Sequence, residues 1–384
     1  MSIVNWKKGQ EPGPKVLYTE NPDKTLSAQI VPHINSSLSL QIDLAGAQVL
    51  SCNTSPKCVF QGQTHGHEGF LLEKVDGLKI LKSHPEYAEV LRPFLIGDEL
   101  LSNLGGQPGR YVIDFTEKDI IEASSFRELY KIVEAKVLPD KKTKAEAQDA
   151  ENRVALEKNS KAKVNKHHIN FYNSWWKLVW GRREMLQAIR QLPRYIACSR
   201  VTKRPIFEFI SSEIQPNDAL MVFTLDDDYS FGIISSGLHF LWFKEKCSTM
   251  KGDFRYTTES VWDTFPWPQQ PSEVQILAVG KAAKALRDLR HDYMSRGHLN
   301  LRDLYRTLDK PGKNPLRDAQ EALDRAVLAA YGWPELSPSD MGGILQRLLD
   351  LNAAVAAAGT MATKPGVAAH LRAGLVSEDC VRVE

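Results

Sequence analysis

Near residue 270 the spacing of apolar residues changes character, and that change limits the folds open to the chain more than any single motif does. From about residue 26 to 270, short apolar runs alternate with turn-formers: "SLSLQIDL", "CVFQGQ", "GFLLE", "RYVIDF", "RYIACSRV", "PIFEFI", "ALMVFTL" and "FGIISS". Runs of this length bounded by turn residues read as strands. Helical spacing interrupts them at 181–191 and 235–247. Beyond 271 only helical spacing remains: "SEVQILAVGKAAKALRDLRHDYM", "LRDLYRTL", "LRDAQEALDRAVLAAYGW" and "GILQRLLDLNAAVAAAG" place apolar residues three and four apart. The pattern predicts an α+β domain over 26–270, an all-α helical domain over 271–360 and a loose tail over 361–384. A chain of 384 residues is long for one core, which agrees with two or three domains.

Ahead of these, residues 1–25 read as a piece apart. "SIVNW" at 2–6 has the look of a buried strand with nothing before it to pair with, and "KKGQEPGPK" is a turn-rich linker. Residues 141–168, "KKTKAEAQDAENRVALEKNSKAKVNKHH", are highly charged and almost free of large apolar groups. They predict an exposed helix that ends in a basic loop, the solvated face of an ordinary domain.

With 42% hydrophobic and 25% charged residues the chain is of globular composition, which excludes wholesale disorder. Its formal net charge of +2 means that a polyanion would have to be met by a local patch rather than a global field. No apolar run is long enough to span a bilayer, and "MSIVNWKKGQ" lacks the apolar centre of a signal peptide. Cys52, Cys58, Cys198, Cys247 and Cys380 are odd in number and form no CxxC pair, as expected of reduced thiols in a cytoplasmic protein.

The search for catalytic chemistry finds no complete set. "NLGGQPGRYV" has the glycines of a nucleotide turn, but Pro108 and a strand stand where the phosphate-binding helix should start, so it reads as a hairpin or loop. No Pro-Pro dipeptide offers the loop that grips a target amine in amino-methyltransferases. Pro139-Asp140 is preceded, not followed, by Glu134-Ala135-Lys136, the wrong order for a nuclease that holds Mg²⁺. "HGHE" at 65–68 has flanking glycines and no distant partner cluster, so it reads as a polar loop rather than a metal site.

One run stands out. "KGDFRYTTESVWDTFPWP", residues 251–268, concentrates basic, aromatic and proline residues in a stretch that looks like a connector. It can be a strand end followed by a packed crossing segment anchored by Trp262, Phe265 and Trp267. It can also present Lys251, Asp253, Arg255 and Tyr256 as an exposed reading edge that those anchors hold rigid. Trp175, Trp176, Tyr331 and Trp333 read as core, with the helix before Gly332 closing there.

Six motifs in order, "VFQGQTHGHEGFLL", "VLRPFLIGDELL", "RYVIDF", "LPRYIACSRVTKRPIFEFI", "GDFRYTTESVWDTFPWP" and "ALDRAVLAAYGW", resemble the C-terminal half of MmeI-type restriction–modification proteins, from residue 2 to about 350. Those proteins fuse nuclease, adenine methyltransferase and target recognition domain in one chain. By this resemblance "SIVNW" matches the last methyltransferase strand, and the family's nuclease, cofactor site and catalytic loop are missing here. S-adenosylmethionine and Mg²⁺ would belong to the parent family and not to this chain. The resemblance implies a recognition domain with a curved sheet, braced on double-stranded DNA by a helical domain, in a bacterial or archaeal cytoplasm and with no membrane partner. It would serve a methyltransferase in the same polypeptide or a separate one. Arg255, with Lys251, Asp253 and Tyr256, would lie on the DNA-facing side, where arginine can grip guanine O6 and N7. Arg200, Lys203 and Arg204 of "SRVTKR", Arg182 and Arg183 of "WGRR", and Lys57 would clamp phosphates. Gln61, Gln63 and His65 complete the DNA-binding candidates, and no catalytic residue is assigned. The rival reading is a protein-interaction module without base readout. The two differ in whether basic side chains from distant segments converge on one concave face.

Overall fold

The computed structural model describes residues 13–21, 23–31, 42–250 and 253–383. The expected strand at 2–6 and most of "SLSLQIDL" lie outside them. The described strands, in chain order, are β1 (Lys15–Glu20), β2 (Leu26–Val31), β3 (Val59–Gln61), β4 (Leu71–Glu73), β5 (Leu91–Leu95), β6 (Arg110–Ile113), β7 (Arg194–Ser199), β8 (Glu208–Ser211), β9 (Gln215–Pro216), β10 (Leu220–Phe223), β11 (Ser248–Met250) and β12 (Asp253–Arg255). One antiparallel sheet has the order β3-β10-β7-β8, and a second, β4-β6-β5-β9, ends in a parallel β5–β9 pair. β1–β2 and β11–β12 are two-stranded hairpins. The protein is thus α+β with a helical C-terminal region, its strands divided over small sheets rather than gathered in one curved sheet.

Every residue of β7 is buried, because β10 and β8 flank it and both faces are covered. Fully buried strands read as continuous apolar runs, which is why "RYIACSRV" is legible as one. "FGIISS" is not: it forms most of helix Asp228–Ser235. Asp227 caps this helix by accepting from Ser230 N–H at 2.7 Å, and seven of its eight residues are buried. A helix apolar on all sides has no stripe, so its sequence looks like a buried strand.

The expected boundary at 270 does not divide the packing. A single apolar cluster joins Ile196 and Phe223 of the sheet to Trp242, Trp262 and Trp267, and continues through Val279, Leu323 and Leu348 of the helical region. Helices Asp228–Ser235 and Glu273–Gly297 lie so close that a Cβ on Gly232 would meet Val279 at 2.7 Å. The boundary at 25 falls in the turn of the β1–β2 hairpin and divides one unit.

Residues 361–383 are packed rather than loose. Leu375 and Val381 are buried, Val381 N–H donates to Phe209 O at 2.8 Å, and Ser211 N–H donates to Val381 O at 2.9 Å. Helix Pro315–Ala330 closes at Gly332 as expected: Gly332 has φ 77°, and the N–H groups of Gly332 and Trp333 return to Ala329 O and Leu328 O. Tyr331, Trp175 and the larger part of Trp176 are core, also as expected.

Helix Arg127–Lys158 covers the segment expected to be an exposed charged helix. Within that segment Lys141, Ala145 and Gln148 are buried, and Lys141 is the charged one among them. Its ammonium is buried, donates to Trp175 O and Lys177 O at 3.2 and 3.0 Å, and burial pushes it down to about 8. All five cysteines are free, and no helix of the described residues is long and apolar enough to cross a membrane.

Candidate nucleic-acid interface

The edge strand β3 and the neighbouring β10 form the floor of a cleft of about 470 Å³, through Val59, Phe60, Gln61 and Met221. Four cationic side chains from four separate segments line it: Lys57, Arg182, Arg200 and Arg255. Glu259 and Asp263 face them, so the lining is cationic by two charges if both carboxyls are ionised.

Each cation is placed by the fold beneath it. Lys57 precedes β3 and lies 4.9 Å over the Phe60 ring. Arg200 follows β7, with its N–H bonded to Ala219 O and its carbonyl accepting from Tyr256 N–H, both at 2.8 Å. Arg182 occupies the left-handed region at φ 52° as the N-cap of helix Arg183–Ile189. Two glycines let that corner close. A Cβ on Gly62 would stand 2.1 Å from Asn217 O, and one on Gly181 would stand 2.1 Å from the Thr116 side chain.

Arg255 ends β12 and forms an isolated bridge with Val201, which ties the β11–β12 hairpin to the end of β7. Its Nε is buried without a hydrogen-bond partner, and its guanidinium borders the cleft. An unpaired, partly desolvated donor at a cationic cleft is a group that gains when an acceptor arrives.

Within residues 251–268 the structure bears out the packed anchors, and it sets Arg255 at the border of the cleft. Trp262, Phe265 and Trp267 are buried, and Asn53 Nδ2 fixes the crossing segment by donating to Trp262 O and Phe265 O at 2.7 and 2.8 Å. Tyr256 belongs with these anchors, which corrects its assignment to the reading edge. It is fully buried, stacked 5.6 Å from Phe243, and its Oη lies 3.0 Å from His239 Nε2. Burial holds the His239 imidazole neutral, down to about 3.

The remaining candidates divide. Gln61 reaches the cleft and donates to Asp218 O at 3.1 Å. Gln63 does not: it is fully buried and donates to Asp114 Oδ2 and Gly181 O at 2.8 and 2.9 Å, a structural role. His65 Nε2 pairs with Glu68 at 3.3 Å within the polar loop. Arg183 donates to Thr116 O, and Lys203 is exposed on a turn. Arg204 lies over Phe240 in a different cleft, with Arg317 and Asp324. Asp253 is half-buried on the hairpin, and Lys251 lies outside the described residues. Among the described residues no group of three or more His, Cys, Asp or Glu side chains is placed to hold a metal ion.

Sequence reading missed Asp263. Burial, with repulsion from Glu259, pushes its carboxyl up to about 6 against the opposing pull of Lys57. The signal was present, since Asp263 stands between buried Trp262 and Phe265. A polyanion in the cleft would favour the protonated form. Affinity of the cleft for a polyanion should therefore rise as pH falls from 7.5 through 6, by roughly three- to tenfold. Asp263→Asn should bind more tightly than the unaltered protein at pH 7.5 and gain less on acidification. Fluorescence anisotropy across pH checks both.

Residues 195–269 match the family model described as "MmeI, target recognition domain". That span runs from β7 to the crossing segment and contains Arg200 and Arg255; Lys57, Gln61 and Arg182 come from outside it. Among solved structures, the chain is similar to the Type IIL restriction–modification enzyme MmeI in complex with DNA, at TM-score 0.68 and 19% identity. The similarity covers 93% of this chain and 45% of that one, so the chain spans less than half the length of that enzyme. No curated protein matches the chain.

Proposed function

We propose that this chain is a sequence-specific recognition module for duplex DNA that supplies target choice to an adenine methyltransferase of a type II restriction–modification system. The observation that carries this reading is the convergence of Lys57, Arg182, Arg200 and Arg255 on one concave surface. A protein-interaction module has no need for such convergence, whereas a polyanion does. The family match over 195–269 and the shared fold support the same reading.

In this reading the cleft divides its work. Arg200, Arg182 and Lys57 hold phosphates and set register, contacts that position without specifying. Asp253 and Arg255, two apart on β12 and so on one face, address base edges in the major groove. Methyl transfer and cleavage, with S-adenosylmethionine and Mg²⁺, would belong to other domains or subunits. Such a partner would dock on the β1–β2 hairpin. Its pairing puts Val16, Tyr18, Leu26 and Ile30 on one face, and all four are exposed.

The test is binding of random-sequence duplex DNA against salt. With roughly four to six phosphates neutralised, log K should fall against log salt with a slope near −0.9 per phosphate. Arg200→Ala should make that slope shallower by about 0.9. Binding that ignores salt, or none at low salt, would favour the interaction-module reading.

A further inference from the structure

The cleft opens at Arg182 onto a surface that this readout does not use. From residue 158 to 183 the sequence carries Lys158, Lys161, Lys163, Lys166, Lys177, Arg182 and Arg183 and no Asp or Glu. In a chain of net charge +2 that is a strong local excess. The helix that leads into it differs in having carboxylates among its cations, and Lys142 and Lys144 pair one turn away with Glu146 and Asp140. Lys158, Lys161, Lys163 and Lys166 are exposed, and among the described residues none is paired with a carboxylate.

This basic segment is held in place. Asn152 Nδ2 donates to Asn165 O at 2.6 Å, and Asn165 N–H returns to Asn152 Oδ1 at 2.9 Å. Gln148 Oε1 accepts from the N–H groups of His168 and Ile169. It is also continuous with the cleft. The Arg182 guanidinium lies 5.9 Å from the Trp180 ring, Phe171 lies 6.4 Å from Trp180, and His167 lies 4.7 Å from Phe171. Trp180, which joins the two regions, is 55% exposed.

We infer that residues 158–168, reached from the cleft across Trp180, form a second DNA-binding arm that holds the sugar–phosphate backbone flanking the recognised sequence. The inference rests on the DNA-recognition reading above. Exposed, unpaired lysines suit phosphates, which they meet as mobile point charges and from which they release counterions. A protein partner would ask for an apolar centre, which this lysine-bearing segment does not offer. The arm adds affinity and footprint, not sequence choice.

The test combines Lys158→Gln, Lys161→Gln, Lys163→Gln and Lys166→Gln in the full chain and measures binding to random duplexes of about 40 and about 12 base pairs across salt. On the long duplex the variant's slope should be shallower by about 0.9 for each phosphate that the arm no longer neutralises, roughly two to four in all. On the short duplex, which leaves the arm fewer backbone phosphates outside the cleft, the two proteins should differ less. Lys161→Glu with Lys163→Glu should weaken long-duplex binding further, and melting curves establish that each variant is folded. Equal slopes on the long duplex would overturn the arm while leaving the cleft reading intact. Failure of the unaltered protein to bind either duplex would instead overturn the recognition reading on which the arm depends.

Discussion

Asp228→Ala should destabilise the fold by about 3–5 kcal/mol, a larger loss than any surface substitution on the DNA-facing side. Asp228 Oδ1 accepts from Arg194 at 3.0 Å, from Arg287 at 2.6 Å and from Ser377 Oγ at 2.8 Å. Both guanidinium groups are buried, and they share one other carboxylate, Asp379, at 3.2 and 2.7 Å. They also lie 3.5 and 4.8 Å over the Phe209 ring. Removing Asp228 leaves two buried cations against one acid, and the uncompensated charge, more than the missing attraction, makes the cost large. Urea unfolding measures it, and a loss below about 1 kcal/mol would mean that water replaces the carboxylate.

The same cluster sets an acid limit. Burial pushes the Asp379 carboxyl up, but hydrogen bonds and charge from Arg287, Ser377 and Arg194 override it and hold it well below the ordinary carboxylate range. A carboxyl depressed in the folded state contributes stability that is complete above its unfolded value, near pH 4, and lost as pH falls through the folded one. Asp379→Asn should therefore be less stable than the unaltered protein by a constant margin from pH 8 to 5, and the margin should close below pH 4.

That cluster also shows why part of the fold is hidden from sequence reading. Arg194 begins β7, Asp228 begins a helix whose sequence reads as a strand, Arg287 sits in the helical region, and Asp379 lies in the supposed tail. Charged residues are expected at the surface, and nothing local announces that four of them will meet inside. Apolar order is more legible: the change near 270 marks where strands give way to helices, although the shared core ignores it as a boundary. At the candidate site the sequence points to the cations but not to the depth of each residue. Arg255 and Tyr256 look like one reading edge, yet neighbours in an extended segment point to opposite sides. Alternation alone is enough to put Tyr256 and Arg255 on opposite sides, and the burial of Tyr256 then turns Arg255 toward the cleft. The burial of Gln63 has no such signal, because it depends on Asp114 and Gly181, far away in sequence.

Arg255 and Trp267 should separate readout from support. Arg255→Ala leaves the backbone pairing of β12 in place and removes an Nε that is buried without a partner, so the melting temperature should hardly change. It should cost about 1–3 kcal/mol on the preferred DNA sequence and little on random DNA, because a base contact specifies while a phosphate contact does not. Trp267→Ala should do the reverse. Trp267 is packed 5.7 Å from Trp262 and 6.3 Å from Tyr229, at the joint between sheet and helices, and the cavity left behind should cost about 3–5 kcal/mol of stability. Molecules that remain folded should keep their discrimination, since the cleft lining is untouched. The measurements are the melting temperature and the ratio of specific to non-specific affinity, for both variants on a sequence selected by the protein from a random pool. If Arg255→Ala unfolds the chain while that ratio holds, then Arg255 supports the hairpin and the base-reading group must be sought elsewhere on the cleft.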